Sequence, residues 1–345
     1  MKSIVGDRAI DRTVRGRVGA EPQSTRAAGR AAGSDHRADI PLSRRDLIAM
    51  TAAAAALGAV ELPQAIAQTS PKTAAAGNPW HFDISLAQWS LHRAYFDKKL
   101  DPIDFPKTAK RDYSIDAVEY VNQFYMTHAG DTAYFKDLRS RCDGEGVKSV
   151  LIMCDHQEML GDPEPEGRRK AVEVHKFWLE AAKILGCHSI RVNLNGKGTP
   201  EEHAKQAAEG LRALCEAADP MGLNVIVENH GGNSSHGDWL VGVMKAVNHP
   251  RVGTLPDFGN FYEYDRYQGV RDMMPFARGV SAKSYDFDDT GEETKINYWR
   301  MLKLVKAAGY AGRIGIEYEG DRLSEPEGIQ GTRKLLEEIR SVIGR

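Results

Sequence analysis

Cysteine is scarce: Cys142, Cys154, Cys187 and Cys215 are the only four in 345 residues. That is too few for a disulfide-built scaffold. The strand order read below puts Cys154 and Cys187 at opposite ends of neighbouring parallel strands, too far apart to bond, so buried free thiols are expected. An excess of charge of one sign is also missing. The net charge is -2, which argues against the broad basic face of a dedicated nucleic-acid binder. No apolar run approaches the ~20 residues of a membrane span, and the longest, Ala49 to Val60, is alanine-rich, so no stable membrane anchor is expected. The glycine fingerprint of a dinucleotide-binding sheet is absent, as is a clear glycine loop for phosphate. What is present is an ordinary enzyme-like composition, 41% hydrophobic and 27% charged, long enough for one large core.

The first forty residues are rich in Arg, Ala, Gly and Ser without apolar periodicity, and read as disordered or as sequence upstream of the true start. Ser43-Arg44-Arg45-Asp46-Leu47-Ile48, the apolar run and Ala65-Ile66-Ala67 together resemble a twin-arginine export signal cleaved after Ala67. The expected division is therefore a disordered N-terminus and signal over 1–67, a Pro/Thr/Ala/Gly linker over 68–79 and one domain over 80–345. A periplasmic or secreted mature protein follows from that division.

Within the domain, strand-like runs alternate with helical stripes. Strands are expected at Phe82 to Trp89, Ala117 to Val121, Val147 to Met153 and Ser189 to Leu194, then in the runs ending at Glu228, Asp257 and Lys283, and at Arg313 to Tyr318. Helices are expected over Asp104 to Lys110, Thr132 to Cys142, Arg168 to Leu185, Ala204 to Ala218, Tyr298 to Ala308 and around Leu335 to Ile343. Eight strand-helix alternations predict a single α/β (β/α)8 TIM barrel, preceded by the export signal.

The polar residues fall where such a barrel keeps its chemistry. Val225, Ile226 and Val227 form the β-branched run of a strand buried on both faces, and it ends in Glu228, Asn229, His230 and two glycines. Alternation sends Glu228 and His230 to one side. Asp257, Lys283 and Glu317 end apolar runs in the same way, so several strand ends converge on one place. In the fourth strand Arg191, Asn193 and Asn195 share the face opposite Ile190, Val192 and Leu194, which points the polar set inward.

The motifs VIVENHGG, LPDFGN, SAKSYDFDDTGEE and IGIEYEG, with LGCHSIRVN, resemble those of the xylose isomerase-like TIM-barrel family of sugar and sugar-phosphate isomerases and epimerases. The resemblance implies a divalent metal, Mn2+ first with Mg2+ or Zn2+ as alternatives, held by two glutamates, an aspartate and a histidine. Glu228, Asp257 and Glu317 match the carboxylates. The imidazole does not match: Ser281 stands where many members have His two residues before the lysine, and Asn260 stands where another His is common. His230 or a water is left to complete the shell.

A small-molecule carbohydrate substrate follows, with Glu228 and Glu317 as acid and base and Lys283 as a fixed charge for the enediolate oxygen. Substrate contacts are expected from Trp89, Glu119, His156, Arg191, Asn193, Asn260 and Ser281. Trp89 with His92, Phe124 and Tyr125 forms an apolar wall at the mouth, while His188 belongs at the bottom face and Glu119 either reaches the site or pairs with Arg191. Two alternatives remain at this stage: a lyase or hydrolase of keto-glycosides on the same barrel, and a non-catalytic sugar-binding barrel. Association into a homo-oligomer is left open.

Overall fold

Each apolar run of four to seven residues becomes a strand and each 3.6-period stripe a helix laid outside it. The computed structural model describes residues 79–344. The segment read as an export signal and the linker but for residue 79 lie outside them. The strands are β1 (Asp83–Ala87), β2 (Ala117–Val121), β3 (Lys148–Cys154), β4 (Ser189–Val192), β5 (Asn224–Glu228), β6 (Val252–Leu255), β7 (Val280–Ser284) and β8 (Arg313–Tyr318). Neighbours in sequence pair in parallel from β1 to β6, β8 pairs with both β1 and β7, and the sheet curls until β6 meets β7. There the join is reduced to the bridges Thr254↔Ala277 and Asp257↔Ser281. Pro256, between them, has no N–H to add to the ladder.

The helices among the described residues are α1 (His92–Phe96), α2 (Phe105–Tyr113), α3 (Thr132–Glu145), α4 (Pro165–Leu185), α5 (Pro200–Ala218), α6 (Gly237–Val247), α7 (Arg266–Met273), α8 (Tyr298–Ala307) and α9 (Glu325–Ile343). Their ends follow local chemistry. Thr199 with Glu202 and Ser324 with Glu327 form reciprocal capping boxes, each satisfying two of the backbone donors that a helix start leaves free. The last helix starts ten residues before the Leu335 stripe, at the Ser324 cap. Helices α6 and α7 have no counterpart in the sequence reading, because α6 carries Gly237 and Gly242 and α7 is only 8 residues with a glycine inside. No helix among the described residues is long and apolar enough to cross a membrane.

Two strand ends differ from expectation. The first strand stops at Ala87 and Trp89 lies on the 3-10 turn Gln88–Leu91, where Gln88 turns inward and its Oε1 accepts from Val121 N–H. The fourth ends at Val192 rather than Leu194, because the Arg191 and Asn193 side chains turn to the carboxylate of Asp155. All four cysteines are free and buried.

The strand alternation splits the core in two. Ile190, Val192, Val225 and Val227 face the helices in the larger outer core. Ala87, Ala117, Val121, Leu151, Met153, Ile226 and Leu255 form a smaller apolar cluster within the barrel. That inner cluster is apolar, and the charged residues of the interior lie beside it.

Candidate active site

Glu228 ends β5, Asp257 follows β6 and Glu317 lies in β8, and all three side chains point into the barrel, buried. One carboxylate oxygen from each lies within 4.8 Å of the others. Three acids so close in a low-dielectric interior repel one another and need positive charge nearby. Part of it comes from Lys283 in β7. Its ammonium donates to Glu317 Oε1 at 2.7 Å and Glu319 Oε2 at 2.9 Å and stands 4.0 Å from Asp257 Oδ2. Burial alone would lower the lysine pKa, but Glu317, Asp257 and Glu319 together raise it well above its usual value. It remains an ammonium. Gly259 lets the loop after β6 close over this lysine, since a Cβ there would stand 2.5 Å from Lys283 Cγ.

Ser281 links Asp257 and Glu317. Its hydroxyl lies 2.7 Å from Asp257 Oδ2 and 3.0 Å from Glu317 Oε2. Asp257 Oδ1 accepts from the backbone N–H of Gly259 and of Asn260, each at 2.8 Å. The Asn260 amide donates to Glu228 Oε1 at 3.0 Å. Asn229 clasps the β6 end from behind, its amide exchanging two hydrogen bonds with the Asp257 backbone. Each acid therefore has a fixed direction.

Arg191 supplies the second cation. It donates to Asp155 Oδ1 at 2.5 Å and Asn193 Oδ1 at 3.0 Å, and its Nε is 2.7 Å from Glu228 Oε2. That last contact makes no hydrogen bond, so Glu228 Oε2 is a buried oxygen without a hydrogen-bond partner. The pKa directions follow. Burial raises Glu228 well above the usual range against the pull of Arg191, and raises Asp257 to about 6 against Lys283. Glu317 is also buried, yet Lys283 outweighs burial and lowers it. For Asp155 burial is outweighed by Arg191, which takes it down to about 2.

The donor set fits a hard divalent cation. Three carboxylates offer oxygen ligands, Glu228 Oε2 makes no hydrogen bond although it stands 2.7 Å from Arg191 Nε, and the raised pKa of Glu228 and Asp257 marks a site where added positive charge is favoured. His230 lies outside that trio. Two residues beyond Glu228 it is exposed at the mouth, its backbone N–H donating to Ser234 Oγ. Although the residue as a whole is exposed, desolvation of its ring and nearby Arg191 lower its pKa.

The remaining expected residues are placed as follows. Trp89 reaches the site through Glu319, to which its indole N–H donates. Arg191, Asn193, Asn260 and Ser281 join the acids as described. His156, in the left-handed conformation at φ 51°, is exposed on the loop after β3. Tyr125 is not part of the wall: it is buried, its hydroxyl held between Gln88 and the Pro102 carbonyl. His188 sits before β4, at the bottom, on Ser189.

Glu119 lies deeper than the acids and makes no ion pair with Arg191. Ser85 donates to its Oε1 at 2.6 Å, Oε2 has no partner, and the carboxylate fills space left by Gly315, where a Cβ would come within 2.6 Å of it. Burial, with a smaller push from Glu317, raises its pKa to about 7. A carboxyl with a raised folded pKa holds its proton in the native state above about pH 4.5, so its favourable contribution is complete at low pH and is lost as pH rises through 7. Glu119→Gln is therefore expected to leave stability at pH 5 nearly unchanged and to raise it at pH 8 by on the order of 3 kcal/mol. Urea denaturation at both pH values checks this.

Two site residues escape the sequence reading. Asp155 ends the VLIMC run as Asp257 ends its own, and Glu319 follows Glu317 at the same two-residue step that links Glu228 to His230. Their place just past an apolar run, like that of Asp257, could have found both.

A family model described as xylose isomerase-like TIM barrel matches residues 109–341. Among solved structures, a D-psicose 3-epimerase with D-tagatose from Clostridium cellulolyticum H10 is similar at 12% identity, over 75% of this chain and 99% of that one, with a TM-score of 0.61. An IOLI protein with a zinc atom is similar at 15% identity, over 76% and 99%, with a TM-score of 0.58. A xylose isomerase-like TIM barrel protein from Mycobacterium smegmatis in complex with magnesium is similar at 17% identity, over 76% and 98%, with a TM-score of 0.58. At these identities the likeness is one of fold. The search of curated proteins finds no match.

Proposed function

The chain belongs to the xylose isomerase-like TIM-barrel family, and from that premise we propose that it is a metal-assisted isomerase or epimerase of a carbohydrate, working through an enediolate. The observation that carries this reading is the buried trio Glu228, Asp257 and Glu317, within 4.8 Å of one another and braced by Lys283. Similarity in fold to a D-psicose 3-epimerase and to a D-tagatose 3-epimerase-like protein supports it.

The trio would hold a divalent ion, for which manganese is our first choice. When bound, the ion supplies positive charge to a carbonyl and an adjacent hydroxyl oxygen. The rest of the chemistry falls to side chains. Glu228 and Glu317 come from β5 and β8, three strands apart around the barrel, and so address a substrate carbon from different sides. One carboxylate takes the proton from the carbon beside the carbonyl, and the C–H electron pair moves toward the carbonyl oxygen. The other returns a proton, to the opposite face of the same carbon in epimerisation, or to the former carbonyl carbon in isomerisation, where the hydroxyl proton of the first carbon passes to the former carbonyl oxygen. Lys283 keeps Glu317 in register and sets a fixed charge beside the developing oxyanion. As an ammonium it is unsuited to forming an imine with a ketose, which needs the neutral amine. The apolar cluster beside them and their own burial keep these charges in a low-dielectric setting.

The reading is tested by incubating the protein and manganese with a panel of ketoses and aldoses in deuterated water. Interconversion of one pair with deuterium at the reacting carbon is the expected result. Binding of sugars with no exchange in any would leave a binding barrel instead.

A further inference from the structure

Tyr285 stands two residues beyond Lys283, just past the end of β7. Contacts, not alternation, fix where it points. A Cβ on Gly259 would come within 2.6 Å of the Tyr285 hydroxyl and 2.5 Å of Lys283 Cγ, so the phenol and the lysine stem pack on the same glycine. Its charged neighbours are Asp257, Lys283 and Glu319. The phenol therefore belongs to the acid site, although no step above uses it.

The residue is held from several directions. Its backbone N–H donates to Glu293 Oε1 at 3.1 Å, and its carbonyl lies against Gly320, where any side chain would collide with it. Lys295 covers the ring, 5.0 Å from its centre, which leaves the hydroxyl as the part on offer. That hydroxyl has no hydrogen-bond partner among the described residues, and unlike Glu228 Oε2 it is not sealed from solvent. Burial, then Asp257, push its pKa up against the pull of Lys283. It is a neutral phenol, able to donate one hydrogen bond and accept another. Other neutral donors of the site are spent: Ser281 on Asp257 and Glu317, Asn260 on Glu228, and Asn193 on Asp155. A donor fixed in place and left unpaired is ready for an oxygen that arrives with the substrate.

We propose that Tyr285 is a specificity-determining residue whose hydroxyl bonds one hydroxyl group of a sugar held over Glu228, Asp257 and Glu317. The proposal rests on the carbohydrate reading above and adds to it a residue that reads a single substrate oxygen.

The test is isothermal titration of the manganese-loaded full chain and of its Tyr285→Phe variant with D-fructose, D-tagatose, D-glucose, D-galactose and D-xylose, then with the monodeoxy analogues of whichever binds best. The variant removes one oxygen and keeps the ring under Lys295, so it keeps its fold, which circular dichroism verifies. The best sugar is expected to bind about tenfold more weakly to the variant, while manganese affinity stays within about twofold. One monodeoxy analogue is expected to bind both proteins alike, because each then lacks half of the same hydrogen bond. Equal affinity of the two proteins for the best sugar overturns the proposal, as does saturable binding of none of the five. So does an equal drop for every monodeoxy analogue, since the phenol would then only brace the Gly259 loop, or a parallel drop in manganese affinity, since it would then brace the trio. A Tyr285-dependent affinity without solvent hydrogen exchange in any sugar sinks the isomerase reading and leaves the contact standing. Exchange in both proteins at one rate and with one affinity does the reverse.

Discussion

Replacing Lys283 with methionine is expected to cost about 3–5 kcal/mol of stability at pH 8 and to lower the melting temperature by about 10 °C. The methionine roughly fills the volume of the lysine stem, so the loss is one of charge. The ammonium is buried and lies within 4.0 Å of Glu317, Glu319 and Asp257. Without it, Glu317 loses the partner that holds its pKa down, and three carboxylates share a dry interior. They respond by taking up protons. An acid whose folded pKa is raised stabilises the native state below its unfolded pKa and loses that contribution as pH rises, so the variant should recover much of the deficit at pH 5. Added manganese should recover part of it at pH 8 by replacing the missing charge. Thermal melts at pH 5 and 8, with and without the ion, measure all three effects. A loss below about 1 kcal/mol at pH 8 would mean that the acids draw their compensation from elsewhere.

The second large effect concerns the ion. Asp257→Ala is expected to reduce binding of a divalent cation by at least about 100-fold, from one ion per chain to none detectable by titration calorimetry. Asp257 does more than offer a ligand oxygen. Its Oδ1 is aimed by two backbone donors and its Oδ2 by Ser281, which also bonds Glu317, so the variant removes a ligand and slackens a neighbour. Because burial already raises Asp257 to about 6, competition with protons should weaken binding in the wild-type protein as pH falls below that value. Equal ion affinity in the wild type and the variant would place the ion at other groups.

Much of this was legible in the chain, for a physical reason. A strand buried on both faces needs a β-branched run, so VIV before Glu228 and IGI before Glu317 announced both the strands and the polar ends above them. What stayed hidden depends on contacts between distant segments. Trp89 reads as a strand residue until Gln88 is seen to turn inward to Val121, and Tyr125 reads as a mouth aromatic until its hydroxyl is seen to bridge Gln88 and Pro102. His230 shares the inward face with Glu228 by alternation, but the strand ends at Glu228, and beyond that point alternation no longer sets direction. Glu119 reads equally as a site residue and as a partner of Arg191, because spacing gives direction and not depth. Its depth depends on Gly315, two strands away in the sheet.

The most direct test of the central claim is carbon-bound hydrogen exchange in deuterated water, followed by proton NMR for the wild type, Glu228→Gln, Glu317→Gln and the double variant, each loaded with manganese. Glutamine keeps the size of the side chain and removes its capacity to carry a proton. The account predicts exchange in the wild type on at least one carbohydrate and a fall of about a thousandfold in each variant. Exchange that persists in the double variant at the wild-type rate would contradict it, because the proton would then be moved by groups other than these two carboxylates.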